Sequence, residues 1–516
     1  MPSDGAIVLY DVTRLVHRHR EKTPTGIDRV DLRYAKHLVD KHGERCIFVF
    51  QTGGGLARIN KRASDALLKY LWASWVDGVA FTTKKFKINP PILSNDNEVP
   101  AKSGIFELDS LAKKSYLDRY AFFRKNDLRP ILPKAFHWVW HLPKPIRHAI
   151  FSAAAVSIPT VKYLNDLQKR YKISTENISS KNNKYYDSEL LEILQKFSKT
   201  NIIYVNTSHH GLGNEDLFLN LLMSWSVKFI FYIHDIIPID FPEYVRPGFG
   251  VEHRERMRVI AQVEPKILVN SNNTKSRVEF LFDDLGFPKP DVRVAYIGLE
   301  ERFLENKAIV SEAKPEHFVM LGTIEPRKNH LLILNVWREL VESGRKDVPK
   351  LYVIGKRGWE NENVLDMLER CPAMQSHVVE LSGVSDQTIV DLLQRSYALL
   401  FPSFSEGWGM PLVEALGMGI PAICSDIAVF REAGQGLPDY IHPLDGPGWR
   451  DAILDYSKPE SVARTKQLQR LENFHAPEWS NHFAALDDII SNSALNQKNS
   501  APLRVGQKMV GDVFDN

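Results

Sequence analysis

The sequence predicts an α/β chain of two large domains, each built on a parallel β-sheet. Three observations predict it. The chain has 516 residues, more than a single hydrophobic core organises. Short apolar runs alternate with helical patterns in both halves, the order that produces parallel sheets. The composition, 44% hydrophobic and 25% charged, is that of an ordinary globular protein.

The same totals narrow the function. A formal net charge of +3 is nearly balanced and gives no support to a nucleic-acid partner. Cys46, Cys371 and Cys424 lie far apart in sequence, so they suggest neither a metal cluster nor a disulfide framework. With no signal peptide at the start, they point to the cytoplasm. The longest near-apolar run, 149–161, is too short to span a bilayer and is broken by Pro159.

In chain order, residues 6–12 read as a first strand. A polar loop over 17–25 leads into Gly26, Ile27, Asp28 and Arg29, and a helical stripe follows at Val30, Tyr34 and Leu38, with His37 beside it. A glycine between a first strand and a first helix is where a backbone approaches a ligand in a doubly wound half. Residues 45–51 give a second strand. Regularity then fails over 53–200, which reads as a large insertion. Alternation returns with strands at 201–206, 228–235, 266–271 and 292–298. His234 ends one of these, where open parallel sheets place ligand contacts, and Asp235 follows it. His209 and His210, after another strand end, are candidates for contact with an acceptor.

A linker around 301–315 precedes a cleaner alternation. Strands are expected at 317–321, 351–354, 378–381, 397–403 and 421–424, and helices at 331–341, 387–395, 449–456 and 479–490. The first of these strands leads into Gly322, Thr323, Ile324, Glu325, Pro326, Arg327, Lys328 and Asn329. The adjacent cations Arg327 and Lys328 would face the same crevice as the loop that follows the 397–403 strand.

That loop organises the chain: Glu406, Gly407, Trp408, Gly409, Met410, Pro411, Leu412, Val413, Glu414. Pro411 suits the first helical position, and Leu412, Val413, Ala415, Leu416 and Met418 form an apolar helical face. The free amides and positive dipole end of such a helix start attract a phosphate. Gly407 and Gly409 let the backbone come close. Glu406 and Glu414 would repel a phosphate, but ionised carboxylates are strong acceptors for sugar hydroxyls.

A glutamate followed eight residues later by another resembles the large retaining glycosyltransferase family with two Rossmann-like domains, the GT-B type. That family includes bacterial mannosyl-, glucosyl- and galactosyltransferases of polysaccharide assembly. The resemblance implies that Glu406 contacts the donor sugar and Glu414 holds the nucleotide ribose. It implies that His234 reaches the donor sugar and that Gly26 and Arg29 line the cleft near the diphosphate. Gly322, Thr323, Gly407, Trp408, Gly409 and Met410 complete the donor-binding set, and Arg327 and Lys328 stabilise the departing nucleotide diphosphate. Many members carry an arginine directly after the strand glycine; Thr323 stands there in this chain.

The implied domains are 1–304 on the acceptor side, 305–475 for the nucleotide sugar, a crossover helix over 476–495 and a disordered tail over 496–516. The implied reaction moves a hexose or deoxyhexose, such as mannose, with retention onto a hydroxyl of a growing, lipid-linked surface polysaccharide. No Asp-x-Asp occurs anywhere in the chain. No metal and no cofactor are therefore expected, with side-chain cations, amides and a helix dipole in the metal's place. Competing readings are a phosphorylase or a sugar-nucleotide epimerase of the same fold, and a catalytically silent binding or scaffold protein.

Within the insertion, residues 111–150 hold nine Lys or Arg against two Asp, interleaved with Tyr116, Tyr120, Phe122, Phe123, Phe136, Trp138 and Trp140. Cations with interfacial aromatics fit an anionic membrane surface. Residues 111–151 are thus expected to dock the protein on the inner face of the cytoplasmic membrane.

Overall fold

The computed structural model describes residues 6–21, 23–52, 55–77, 185–197, 201–305 and 315–495. The basic, aromatic stretch 111–151 and the tail 496–516 lie outside them. Two largely parallel sheets carry the fold, as the alternation predicts.

The first sheet comprises β1 (Ile7–Asp11), β2 (Cys46–Thr52), β3 (Gly55–Arg58), β4 (Ile202–Asn206), β5 (Lys228–Ile233), β6 (Lys266–Val269) and β7 (Asp291–Val294). Its spatial order is β3-β2-β1-β4-β5-β6-β7, parallel except for the antiparallel edge strand β3. The second comprises β8 (His317–Leu321), β9 (Lys350–Ile354), β10 (Val378–Leu381), β11 (Ser396–Phe401), β12 (Ala422–Ser425) and β13 (Asp439–Ile441). Its order is β10-β9-β8-β11-β12-β13, parallel throughout.

The central strands are continuous apolar runs because both of their faces are covered. Every residue of β1 and β4 is buried. Side chains of β1 alternate between two cores: Val8 and Tyr10 enter one, Ile7 and Leu9 the other. The core holding Val8 and Tyr10 also contains Leu399, Phe401, Leu412 and Leu416 from the second half, so one apolar cluster joins the two sheets.

A short helix, Thr13–Arg18, follows β1, so the expected loop 17–25 begins within it; the first long helix spans Gly26–His42. Thr25 starts it with a reciprocal capping box, in which its side chain and that of Asp28 each satisfy the other's backbone amide. Val30, Tyr34 and Leu38 are buried as the stripe predicts, and so are Asp28 and Asp31. The helix Trp479–Leu495 packs on the first half. His482 bonds the Tyr34 hydroxyl at 2.8 Å and the Tyr296 carbonyl at 2.9 Å, and the His37 ring stacks on Phe483 at 4.0 Å.

Residues 53–200 were expected to be irregular. Where described, they supply β3 and the helices Lys61–Trp75 and Ser188–Lys196, which pack into the first half's cores. Among the described residues no helix is long and apolar enough to cross a membrane.

Candidate active site

In a doubly wound sheet, ligands bind beyond the carboxyl ends of the two strands where the winding reverses. In the second sheet those strands are β8 and β11, which are neighbours. The loops that follow them carry the glycine–cation segment and the two glutamates, so topology brings together motifs about eighty residues apart.

Local chemistry fixes both loops. Pro326–Lys328 form a short 3-10 turn that ends at Asn329, in a left-handed conformation with φ +57°. Asn329 Nδ2 donates to the carbonyls of Pro402 (3.2 Å) and Pro443 (2.7 Å), tying the turn to the end of β11. The Phe404 amide donates to the Arg327 carbonyl at 2.8 Å. The cations are therefore held against the glutamate loop by the backbone, not only by their charges.

Glu406 sits at the centre. Its Oε1 accepts from Lys328 Nζ at 2.5 Å and from Ser403 Oγ at 2.9 Å; its Oε2 meets Arg327 Nη1 at 2.6 Å. Arg327 also meets Glu325 at 2.6 Å and donates to the Ser405 carbonyl at 3.1 Å. Burial alone would push the Glu406 carboxyl up, but Arg327 and Lys328 pull it down to about 2. Burial lowers the Lys328 ammonium, with Glu406 opposing. The four groups Glu325, Arg327, Lys328 and Glu406 make a buried, charge-balanced cluster in which each cation has a carboxylate partner.

The helix Met410–Gly417 begins directly after this loop. Its first amides lack intrahelical acceptors, as at any helix start. Gly409 precedes it with φ +97°, a conformation that L side chains rarely adopt. Gly407 is required by close approach, since a Cβ there would lie 2.3 Å from the carbonyl of His234 on the first half. Gly322 packs over the Lys328 side chain, and Gly26 faces Met410 across the crevice. Thr323 lies beside Gly358, on the same side of β8's end. The indole of Trp408 is buried and stacks on Tyr296 at 4.9 Å, so Trp408 offers the crevice its backbone rather than its ring.

On the first half, His234 is buried and its Nε2 donates to the Thr207 carbonyl at 2.8 Å, leaving Nδ1 as an acceptor. Burial lowers its pKa to about 4, so the ring is neutral at physiological pH. Behind it, Thr207 Oγ1 bonds Asp31 Oδ1 at 2.8 Å, and the Tyr10 hydroxyl bonds the same carboxylate. Burial raises Asp31 to about 7. His209 packs between His234 and His253, at 5.7 and 4.7 Å, and His210 lies against His17 at 5.8 Å. Arg29 reaches across to the second half: Nη2 bonds Asp386 at 2.7 Å and Nη1 lies 3.6 Å from Glu414. Arg29 thus stands beside the second glutamate. Its partner Asp386, on the helix Asp386–Gln394, draws it there.

Residues 302–434 match the family described as "Glycosyl transferases group 1". The match lies in the second half and includes both the Gly322–Asn329 segment and the glutamate loop. With the first sheet facing it across the crevice, the fold is GT-B. The chain is similar to the serotype-specific mannosyltransferase WbdA of Escherichia coli, 29% identical over 221 residues, 40% of this chain and 27% of that one. It is also similar to the O-antigen chain mannosyltransferase RfbU of Salmonella typhimurium, 25% identical over 53% of this chain and 70% of that one. Among solved structures, HepE of Anabaena in complex with UDP is 12% identical, with a TM-score of 0.43, covering 59% of this chain and 82% of that one. The match spans about a quarter of the length of the WbdA relative, 27%.

Several groups that shape this site carry little signal in the sequence. Glu325 stands two positions before Arg327 at a strand end, which is a local signal. Ser403, three residues before Glu406, is a similar one. Asp386, Asp31 and Thr207 carry no such mark, because their partners lie far away in the chain.

Proposed function

We propose that this protein is a retaining hexosyltransferase that uses a nucleotide diphosphate sugar, with mannose the leading candidate, and extends a bacterial surface polysaccharide. The observation that carries the proposal is Glu406 gripped by Lys328 and Arg327 at the reversal point of the second sheet, next to the start of the Met410–Gly417 helix. The mannosyltransferase names of the relatives support the sugar class.

Before a donor arrives, the two cations are neutralised by Glu406 and Glu325. A diphosphate entering over Gly322 competes for Lys328 and Arg327 and receives the free amides of the helix start. Glu406, held ionised by Arg327 and Lys328, then shares these cations with the diphosphate and turns toward the hydroxyls of the transferred sugar. Neutral His234 presents an acceptor nitrogen from the opposite wall. Glu414 takes the ribose diol.

As the bond between the anomeric carbon and the phosphate oxygen breaks, negative charge grows on the nucleotide diphosphate. Fixed cations placed where that charge develops lower the barrier. The acceptor hydroxyl attacks on the same face, its oxygen bonds the anomeric carbon, and its proton passes to the leaving phosphate. These side chains and amides supply the charge compensation, so no metal enters the scheme. A lipid-linked acceptor, reached from the cytoplasmic membrane face, completes the proposal.

The experiment is a panel of GDP-, UDP- and dTDP-linked hexoses screened by thermal shift and nucleotide release. At least one should raise the melting temperature and be turned over. If none does, the proposal fails.

A further inference from the structure

Behind His234 runs a chain of hydrogen bonds that the donor scheme does not use. His234 Nε2 donates to the Thr207 carbonyl at 2.8 Å, and Thr207 Oγ1 donates to Asp31 Oδ1 at 2.8 Å. The Tyr10 hydroxyl closes the cluster. It lies 2.8 Å from the Asp31 carbonyl and 2.9 Å from Thr207 Oγ1, and it bonds the same carboxylate oxygen. Three elements meet there: β1 supplies Tyr10, the end of β4 supplies Thr207, and the helix Gly26–His42 supplies Asp31.

Asp31 is a costly side chain for this place. It is fully buried, it forms no ion pair among the described residues, and its Oδ2 has no hydrogen-bond partner. A carboxyl taken out of water without a cation costs stability, and an apolar side chain of similar size would pack there more cheaply. What the carboxyl supplies is an acceptor for the Thr207 hydroxyl.

That hydroxyl matters for His234. The backbone of His234 is fixed elsewhere: Asn270 Nδ2 donates to its carbonyl at 2.7 Å, and Gly407 approaches the same carbonyl closely. Among the described residues, the hydrogen bond to its ring is the one made by the Thr207 carbonyl. This carbonyl belongs to the peptide unit that joins Thr207 to Ser208. The unit's N–H, on Ser208, donates to Asn206 Oδ1 at 2.8 Å, and Asp31 anchors the adjoining side chain. The peptide is therefore pinned on either side of the bond that receives the imidazole.

We propose that Asp31 is a positioning residue for His234, holding through the Thr207 hydroxyl the carbonyl that keeps the ring protonated at Nε2 with Nδ1 free to accept from the transferred hexose. The proposal rests on the hexosyltransferase reading and adds to it a residue that touches neither donor nor acceptor. Either charge state of Asp31 can serve, because a carboxyl protonated on Oδ2 still accepts through Oδ1.

The test uses the full chain and the variants Thr207→Val, Thr207→Ser, Asp31→Leu and His234→Ala. Valine keeps the shape of threonine and removes its hydroxyl. With isotope-labelled histidine, long-range proton–nitrogen NMR reports which ring nitrogen carries the proton, and His234→Ala identifies the signal. The wild type should show His234 neutral and protonated at Nε2. Thr207→Val and Asp31→Leu should each move that signal toward a ring exchanging between tautomers, while Thr207→Ser holds it.

Kinetics then follow the nucleotide sugar that the screen selects. Thr207→Val should lower kcat/KM about tenfold, the scale of one hydrogen bond. Inhibition by the free nucleotide diphosphate should not change. Added to His234→Ala, Thr207→Val should cost nothing further, because its effect passes through the ring. Unmoved His234 signals in both Thr207→Val and Asp31→Leu overturn the proposal, as do losses that multiply in the double variant. If no nucleotide sugar is turned over, the hexosyltransferase reading fails, and the nitrogen signals still decide whether Asp31 holds His234.

Discussion

Arg29 of the first half lies with its Nη1 3.6 Å from Oε1 of Glu414 on the second. The same guanidinium is anchored at 2.7 Å by Asp386, which Arg302 holds from its other side at 2.8 Å. Burial raises the Glu414 carboxyl to about 7, with Arg29 opposing. The contact between the halves and the charge of a proposed ribose ligand are therefore one linked system.

The first prediction concerns stability and pH. The folded pKa of Glu414, about 7, lies above its ordinary value of 4.5. The folded state therefore holds a proton that the unfolded state has released over this interval. The associated stability is full below pH 4.5 and is lost as pH rises through 7. Glu414→Gln removes that dependence. Thermal melts should show the variant gaining on the wild type steadily between pH 4.5 and 8. Parallel curves would contradict the assignment.

Arg29→Met deprives Glu414 of the stronger of its two opposing cations, leaving Arg302. If ionised Glu414 accepts the ribose hydroxyls, donor KM falls as pH rises through 7 in the wild type. In the variant that fall should move to higher pH. A displacement toward lower pH, or none, would show that Arg29 does not govern Glu414.

Lys328→Ala should lower kcat far more than it weakens donor binding. Losing one contact to developing negative charge costs roughly 3 kcal/mol, a factor of about a hundred or more. Steady-state kinetics decide this. A near-normal kcat with only a raised KM would remove Lys328 from the chemistry.

Much of the fold was legible because the sheets are buried on both faces. Runs such as 202–206 and 317–321 are continuous apolar segments for that reason, and their limits follow closely from the sequence. What escaped had weak local signals. β13 has only three residues, all half-buried, and β3 is a short edge strand. The helix Val462–Leu471 buries only Gln467 and Leu471, so it shows no apolar stripe. The cluster around Glu406 was legible because its members sit in two short loops at strand ends. The linkage of Arg29 to Asp386 spans 357 positions, and no local pattern announces it. Asp31 looks like any helical aspartate until Tyr10 and Thr207 close over it.

Activity should survive excess EDTA, because Arg327, Lys328 and the helix start stand where another design would place a divalent ion. Nucleotide release measured before and after chelation checks this. Complete loss restored by magnesium or manganese would contradict the scheme.

The central claim is that Glu406 and the two cations perform hexosyl transfer from a nucleotide diphosphate sugar. The most direct measurement is acceptor-dependent release of nucleotide diphosphate from the hexose panel, compared between wild type and Glu406→Gln, with the anomeric proton coupling of the product recorded by NMR. The account predicts release by the wild type, a product with the donor's anomeric configuration, and loss of at least about a hundredfold in the variant. Equal release by the variant, or an inverted product, would contradict it.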